Sequence, residues 1–275
     1  MSPLISPSDL RALLRDAAVL DVRWQLGRSD GHRQYLAGHV PGAVYVDLET
    51  DLSDPPNRPP DDRGRHPLPD PDRFAAAMRR CGVRRDLTVV VYDDTAGTAA
   101  TRAWWLLRDH GHPDVRVLDG GWSTWLAEDG AAESGEVRPE PGDLMPDPGH
   151  LPVVDAQEAG RIARAGVLLD ARADERFRGE VEPVDPVAGH VPGAVNVPTS
   201  ANVDGGRWRS VEELAAVYAP TEGRTEVAVY CGSGVTATHD LFALHLLGRE
   251  AALYPGSWSG WVSDPRRPVA TGAAP

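Results

Sequence analysis

The sequence is written twice, so its fold must be one that half the chain can build. Gly38-His39-Val40-Pro41-Gly42-Ala43-Val44 returns as Gly189-His190-Val191-Pro192-Gly193-Ala194-Val195, and Leu20-Asp21-Val22-Arg23 returns as Leu169-Asp170-Ala171-Arg172. Val91-Tyr92 returns as Val229-Tyr230, and Gly121-Trp122-Ser123-Thr124-Trp125 as Ser257-Trp258-Ser259-Gly260-Trp261. Four blocks recurring in one order mark a duplicated unit. With 275 residues in all, each copy has the size of an ordinary domain.

Within each copy short apolar runs alternate with helical segments. The runs cover residues 19–22, 88–92 and 115–118, then 167–171, 226–230 and 251–254. Each is short and bounded by turn residues, as buried parallel strands are. Helices are predicted over 72–81, 99–110, 211–218 and 235–247. Ser6-Pro7-Ser8-Asp9 supplies an N-cap serine, a proline in the first turn and an acid; Asp155-Ala156-Gln157-Glu158 reads as a capping box. The pattern predicts an α/β protein of two domains, 1–132 and 153–275, each a mainly parallel sheet flanked by helices. Residues 133–152, dense in Pro, Gly and acids, are predicted to link them. The interval from His39 to Tyr92 exceeds that from His190 to Tyr230 by about a dozen residues, which places an insertion at 53–72.

Composition narrows the function classes. The net charge is −13, which argues against nucleic acid as a partner. All 28 residues counted as Lys or Arg are arginine, so a site for an anion has to use guanidinium groups or backbone amides. No apolar run reaches the ~20 residues of a membrane span, and the N-terminal residues lack the basic-then-apolar pattern of a signal peptide. Two cysteines make no disulfide framework. A cytoplasmic protein without membrane association is expected.

One of those cysteines is placed for chemistry. Cys231 ends the apolar run Val227-Ala228-Val229-Tyr230 and is followed by Gly232-Ser233-Gly234-Val235-Thr236 and a helix. Cysteines at helix N-termini or beside cations have pKa values of roughly 3.5–7.5, against about 8.5 for an ordinary thiol. The glycines let backbone N–H groups converge on a bound anion. At the corresponding position of the first copy stands Asp93, so only the second copy can use a thiol. Cys81, before Gly82, reads as a packing residue at a helix end. His39 and His190 sit in a turn present in both copies, including the copy without a nucleophile, and are assigned a structural role. The Trp104-Trp105 pair is read as core.

Together these blocks resemble the tandem rhodanese family of sulfurtransferases. Tyr35-Leu36-Ala37-Gly38-His39-Val40-Pro41-Gly42-Ala43 is similar to the family's N-terminal motif and Tyr254-Pro255-Gly256-Ser257-Trp258 to its C-terminal motif. Cys231-Gly232-Ser233-Gly234-Val235-Thr236-Ala237 is similar to its active loop, in the form usual for 3-mercaptopyruvate sulfurtransferases. The resemblance implies two rhodanese-like domains, the first inert and the second catalytic. It implies that Cys231 takes sulfur from a small anionic donor, thiosulfate or 3-mercaptopyruvate, as a persulfide. A thiol, cyanide or a thioredoxin-like protein then accepts it, with no metal or organic cofactor. Gly232, Gly234, Val235 and Thr236 would hold the persulfide through their amides, and Arg176 the donor's anionic end. The family's second arginine, about nine residues on, falls at Asp185 here, which leaves the donor open. Ser233, His66 and Glu49 match a Ser–His–acid relay, with Glu in place of the family's Asp. Trp24 matches a tryptophan expected near the site.

Two other readings compete. A cysteine phosphatase shares the Cys–loop–helix arrangement but needs an arginine six residues on, where this chain has Ala237; that reading is rejected. A rhodanese-like module that carries sulfur for, or docks onto, a partner protein without free turnover remains the alternative.

Overall fold

The computed structural model describes residues 2–57 and 60–274 and divides into two compact units. The first comprises Met1–Asp54, Pro69–His150 and Gly205–Trp208; the second comprises Pro55–Leu68, Leu151–Asp204 and Arg209–Pro275. This differs from a simple cut between the copies. The inserted segment of the first copy belongs to the second unit, and residues 133–150 pack with the first instead of standing apart. Two residues of the insertion, 58 and 59, lie outside the described residues.

The first unit holds a five-stranded parallel sheet. Its strands are β1 (Leu4–Ile5), β2 (Ala17–Asp21), β3 (Val44–Tyr45), β4 (Thr88–Tyr92) and β5 (Val115–Leu118), in the order β1-β5-β4-β2-β3. Helices α1 (Pro7–Leu13), α2 (Gly31–Ala37), α3 (Pro71–Arg80), α4 (Ala100–Asp109) and α5 (Gly121–Ala127) intervene. Ser6 caps α1, its Oγ accepting the Asp9 N–H at 3.1 Å. Val90, Tyr92, Leu118 and Trp125 meet in the core, and Trp104 and Trp105 of α4 are buried.

The second unit repeats the plan with four parallel strands. These are β6 (Val167–Asp170), β7 (Val195–Asn196), β8 (Val227–Tyr230) and β9 (Ala252–Leu253), in the order β9-β8-β6-β7. Its helices are α6 (Ala156–Ala165), α7 (Asp174–Phe177), α8 (Val211–Val217), α9 (Ala237–Leu246) and α10 (Ser257–Trp261). Every residue of β6 and β8 is buried, which explains their unbroken apolar character. The capping box at α6 is only half formed. Asp155 accepts the Glu158 N–H at 2.8 Å, but the Glu158 carboxylate pairs with Arg161 at 2.7 Å and does not return to the cap.

The repeated blocks are the frame of each unit. In the first, Arg23 pairs with Asp21 at 2.7 Å, Tyr92 donates to Asp21 at 2.6 Å, and Arg23 lies over Trp122. In the second, Arg172 pairs with Asp170 at 2.6 Å and lies 4.7 Å from the centre of the Trp258 ring. The histidines complete the frame: His39 Nδ1 meets the Tyr35 carbonyl at 2.9 Å and His190 Nδ1 the Phe177 carbonyl at 2.8 Å. These ion pairs are sealed from water, so removing one partner would strand a buried charge, at about 3–5 kcal/mol. No helix among the described residues is long and apolar enough to cross a membrane.

Candidate active site

Cys231 follows β8 at the carboxyl edge of the second sheet, where ligands of parallel α/β sheets bind. It is 1% exposed. The loop 231–236 then turns into α9, whose first residue is Ala237, two later than the sequence pattern suggested. The difference has a local cause: Thr238 and His239 donate their N–H groups to Val235 and Thr236 at 3.1 Å, a tighter turn before the α-helical ladder starts. The Gly234 N–H points at the Cys231 Sγ from 3.2 Å. Gly234 has φ +81°, and a Cβ there would come within 2.5 Å of the Pro255 carbonyl, so the tight loop requires glycine.

A wall formed by the C-terminal motif backs the loop. The Cys231 N–H donates to Ser257 Oγ at 3.1 Å, the Cys231 carbonyl accepts Trp258 N–H at 2.9 Å, and the Gly232 carbonyl accepts Ser259 N–H at 3.0 Å. The inserted segment of the first copy runs against the same wall. A Cβ on Gly256 or Gly260 would come within 2.1 or 2.4 Å of the Asp62 carbonyl, so two glycines admit this strap. It is held there by the Arg65 N–H donating to Ser259 Oγ at 3.1 Å. Its contact with the wall delivers His66, whose Nδ1 stands 2.7 Å from Ser233 Oγ. Both side chains are buried.

Arg176 projects from the short α7. It gives Nε and Nη2 to Glu182 at 3.2 and 2.6 Å, and Glu182 also accepts the N–H groups of Val184 and Asp185 at 3.1 Å. Burial works to raise the Glu182 carboxyl, but Arg176 and the two amides outweigh it and hold the group below its ordinary range. At Asp185 the balance goes the other way: burial raises the carboxyl more than Arg65 and Arg176 lower it. No sequence motif marks Arg65, yet it pairs with Asp185 and reaches the loop.

Trp24 and Glu49 lie in the first unit and are bonded to each other, Trp24 Nε1–H donating to Glu49 at 2.9 Å. They line an open cavity of about 350 Å³ with Arg28, His32, Tyr45 and Asp47. In that unit Asp93 occupies the position matching Cys231. Its carboxylate accepts four backbone N–H groups, from Thr95, Gly97 and Ala99 at 2.8 Å and from Ala100 at 2.9 Å. Complete burial raises this carboxyl and the four amides oppose the shift. Four converging donors make the site an anion nest filled by the protein's own side chain. Cys81 is also a free, buried thiol, pushed up by burial to about 12.

The rhodanese-like domain model matches residues 6–128 and again 153–264. The chain belongs to the rhodanese family of sulfurtransferases. It is 46% identical over 282 residues to a putative thiosulfate sulfurtransferase of Mycobacterium tuberculosis, covering 98% of each chain. It is 47% identical over 280 residues to a probable 3-mercaptopyruvate sulfurtransferase of Pseudomonas aeruginosa, again covering 98% of each. Among solved structures, the 3-mercaptopyruvate sulfurtransferase of Escherichia coli superposes with a TM-score of 0.81 at 34% identity, covering 94% of this chain and 100% of that one. The two-domain rhodanese architecture expected from the duplicated blocks is thus the one observed.

Proposed function

We propose that the protein takes a sulfur atom from thiosulfate or 3-mercaptopyruvate onto Cys231, where it becomes the outer sulfur of a persulfide, and passes it to a thiol or cyanide. The observation that carries this reading is the pair of matching nests. In the first unit the nest binds the carboxylate of Asp93; in the second, Cys231 sits at its root with the Gly234 N–H directed at its sulfur. A nest whose own anion has been replaced by a thiol has amides to spend on a bound sulfur anion. Hydrogen bonds to charged groups contribute roughly 1.5–3 kcal/mol each.

With thiosulfate, the Cys231 thiolate attacks the outer sulfur, the S–S bond breaks, and sulfite leaves with the electron pair. With 3-mercaptopyruvate it attacks the thiol sulfur and the C–S bond breaks. The electron pair goes to the enolate of pyruvate, and the proton once on the thiol ends on carbon. An acceptor thiolate or cyanide then attacks the terminal sulfur, breaks the persulfide S–S bond and restores the Cys231 thiolate. Ser233 and His66, 2.7 Å apart, move the proton in the second case, Arg176 holds the donor's anion, and the amides from Gly232 to Thr236 hold the persulfide. Glu49, bonded to Trp24, is proposed as the acid of the relay with His66 and Ser233. With both cysteines as free thiols, we assign the protein to a reducing compartment such as the cytoplasm.

Steady-state thiocyanate formation from each donor and cyanide tests the reading. Repeated turnover with kcat/KM differing between donors is expected. A single stoichiometric release followed by arrest would instead identify a carrier that depends on a partner protein. The two relatives named above, at nearly equal identity, carry different donors in their names, so this comparison also chooses the donor.

A further inference from the structure

The strap that carries His66 rests its backbone on the wall, and glycines form the seat. A Cβ on Gly260 would come within 2.4 Å of the Asp62 carbonyl oxygen, and one on Gly256 within 2.1 Å. The fit is reciprocal: a Cβ on Gly64 would lie 2.4 Å from the Gly256 carbonyl oxygen and 2.8 Å from Ser259 Oγ. Carbon and carbonyl oxygen meet at about 3.3–3.6 Å even in favourable C–H···O contacts. A side chain at any of these positions would therefore push the strap off the wall.

In the first copy the same place is filled. Thr124 stands where the second copy has Gly260, and Gly120 where it has Gly256. A Cβ on Gly120 would come within 2.1 Å of Thr124 Oγ1. The threonine side chain thus covers the glycine whose counterpart in the second copy receives the strap. The empty seat occurs in the copy that has Cys231.

The seat also fixes where His66 falls. The Gly64 N–H donates to the Asp61 carbonyl at 3.1 Å and closes a turn; the Arg65 N–H donates to Ser259 Oγ at 3.1 Å. The next residue is His66, with Nδ1 2.7 Å from Ser233 Oγ. A displacement of about 1 Å in such a contact can cost about a hundredfold in rate.

We propose that the seat made by Gly256 and Gly260 is the positioning element for His66. Gly260 thereby decides whether the site can use a donor whose cleavage must move a proton. Breaking the C–S bond of 3-mercaptopyruvate leaves an enolate that takes a proton on carbon, whereas thiosulfate releases sulfite and needs none. A seated strap therefore serves the first donor far more than the second. This rests on the reading of Ser233 and His66 as the proton path.

Gly260→Thr, which installs the first copy's residue, and Gly260→Ala test the proposal in the full-length protein. Each is expected to lower kcat for 3-mercaptopyruvate by about a hundredfold, while kcat/KM for thiosulfate falls less than about tenfold. Hydrogen–deuterium exchange at the Arg65 amide is expected to quicken. In a His66→Ala background the same substitutions should cost less than about twofold more, because the seat acts through the imidazole. Should Gly260→Thr not fold, Ser259→Ala removes the oxygen that accepts the Arg65 N–H and is expected to give the same donor split to a smaller degree. Equal losses for the two donors, unchanged exchange at Arg65, or full additivity with His66→Ala overturns the proposal, since the substitutions would then act by distorting the loop. The two readings fail separately. Native 3-mercaptopyruvate turnover in His66→Ala refutes the proton path. A His66→Ala protein slow on that donor, beside a fully active Gly260→Thr, refutes the seat.

Discussion

The Ser233 hydroxyl and His66 Nδ1, 2.7 Å apart, are close enough for direct proton transfer. The two donors make different demands on them. Mercaptopyruvate cleavage must carry a proton to carbon, whereas thiosulfate cleavage expels sulfite without protonating it. Ser233→Ala is therefore predicted to lower kcat/KM for 3-mercaptopyruvate by about a hundredfold and for thiosulfate by less than about tenfold. Equal losses would show that Ser233 only shapes the loop. Cys231, Ser233, His66 and Arg176 stand out as candidates in the sequence, because each stands inside a recognisable run of neighbours. Arg65 does not. Counting along the chain from Arg176 leads to Asp185, an acid, and nothing in a linear spacing shows that this acid holds an arginine from 120 positions earlier.

At the scale of elements, the copy with Cys231 and the copy with Asp93 differ most where strand, loop and wall meet. Gly121 in the first copy has φ +58°, and Ser257, which stands in its place in the second, has φ +52°. A non-glycine residue in that region is strained by roughly 1–3 kcal/mol. The serine offers in exchange an oxygen that accepts the Cys231 N–H and donates to the Tyr254 carbonyl. Ser257→Gly is predicted to leave the melting temperature unchanged or higher while kcat/KM falls for both donors, because the loop loses its anchor at the nucleophile. A variant that melts lower and keeps full activity would contradict this. The sequence also carries a signal for the strap that is readable only with the fold known. Gly260 replaces Thr124 of the first copy, and the missing side chain is what lets the Asp62 carbonyl approach. The two-residue strands β1, β3 and β7 escaped the sequence reading for a simpler reason: they are too short to show a period.

Across the whole molecule, duplication made the architecture readable. Asp, Arg, Tyr, His and Trp recur because each unit needs the same buried frame, and where the first unit's loop holds the Asp93 carboxylate the second has the Cys231 thiol. The course of the insertion was not readable, since its residues are polar and aperiodic and their unit is decided by glycines some 190 positions later. The buried frame also sets an alkaline limit. Burial pushes the Cys81 thiol from its ordinary value near 9 up to about 12, and it raises Tyr92, Tyr218 and Tyr230 above theirs. The folded chain then holds protons that the unfolded chain has released, so stability is fully present below about pH 9 and falls as pH rises toward 12. Urea unfolding should show that decline, and Cys81→Ala should delay its onset toward pH 10, where the tyrosines of the unfolded chain titrate; stability that is flat or rising from about pH 9 to 11 would contradict it. The central claim is that Cys231 alone carries the transferred sulfur. Intact-mass measurement after incubation with thiosulfate or 3-mercaptopyruvate tests it directly: the native protein should gain one sulfur atom, mapped to Cys231, and Cys231→Ser should gain none. A Cys231→Ser protein that still gains the sulfur, on Cys81 or elsewhere, would contradict the account.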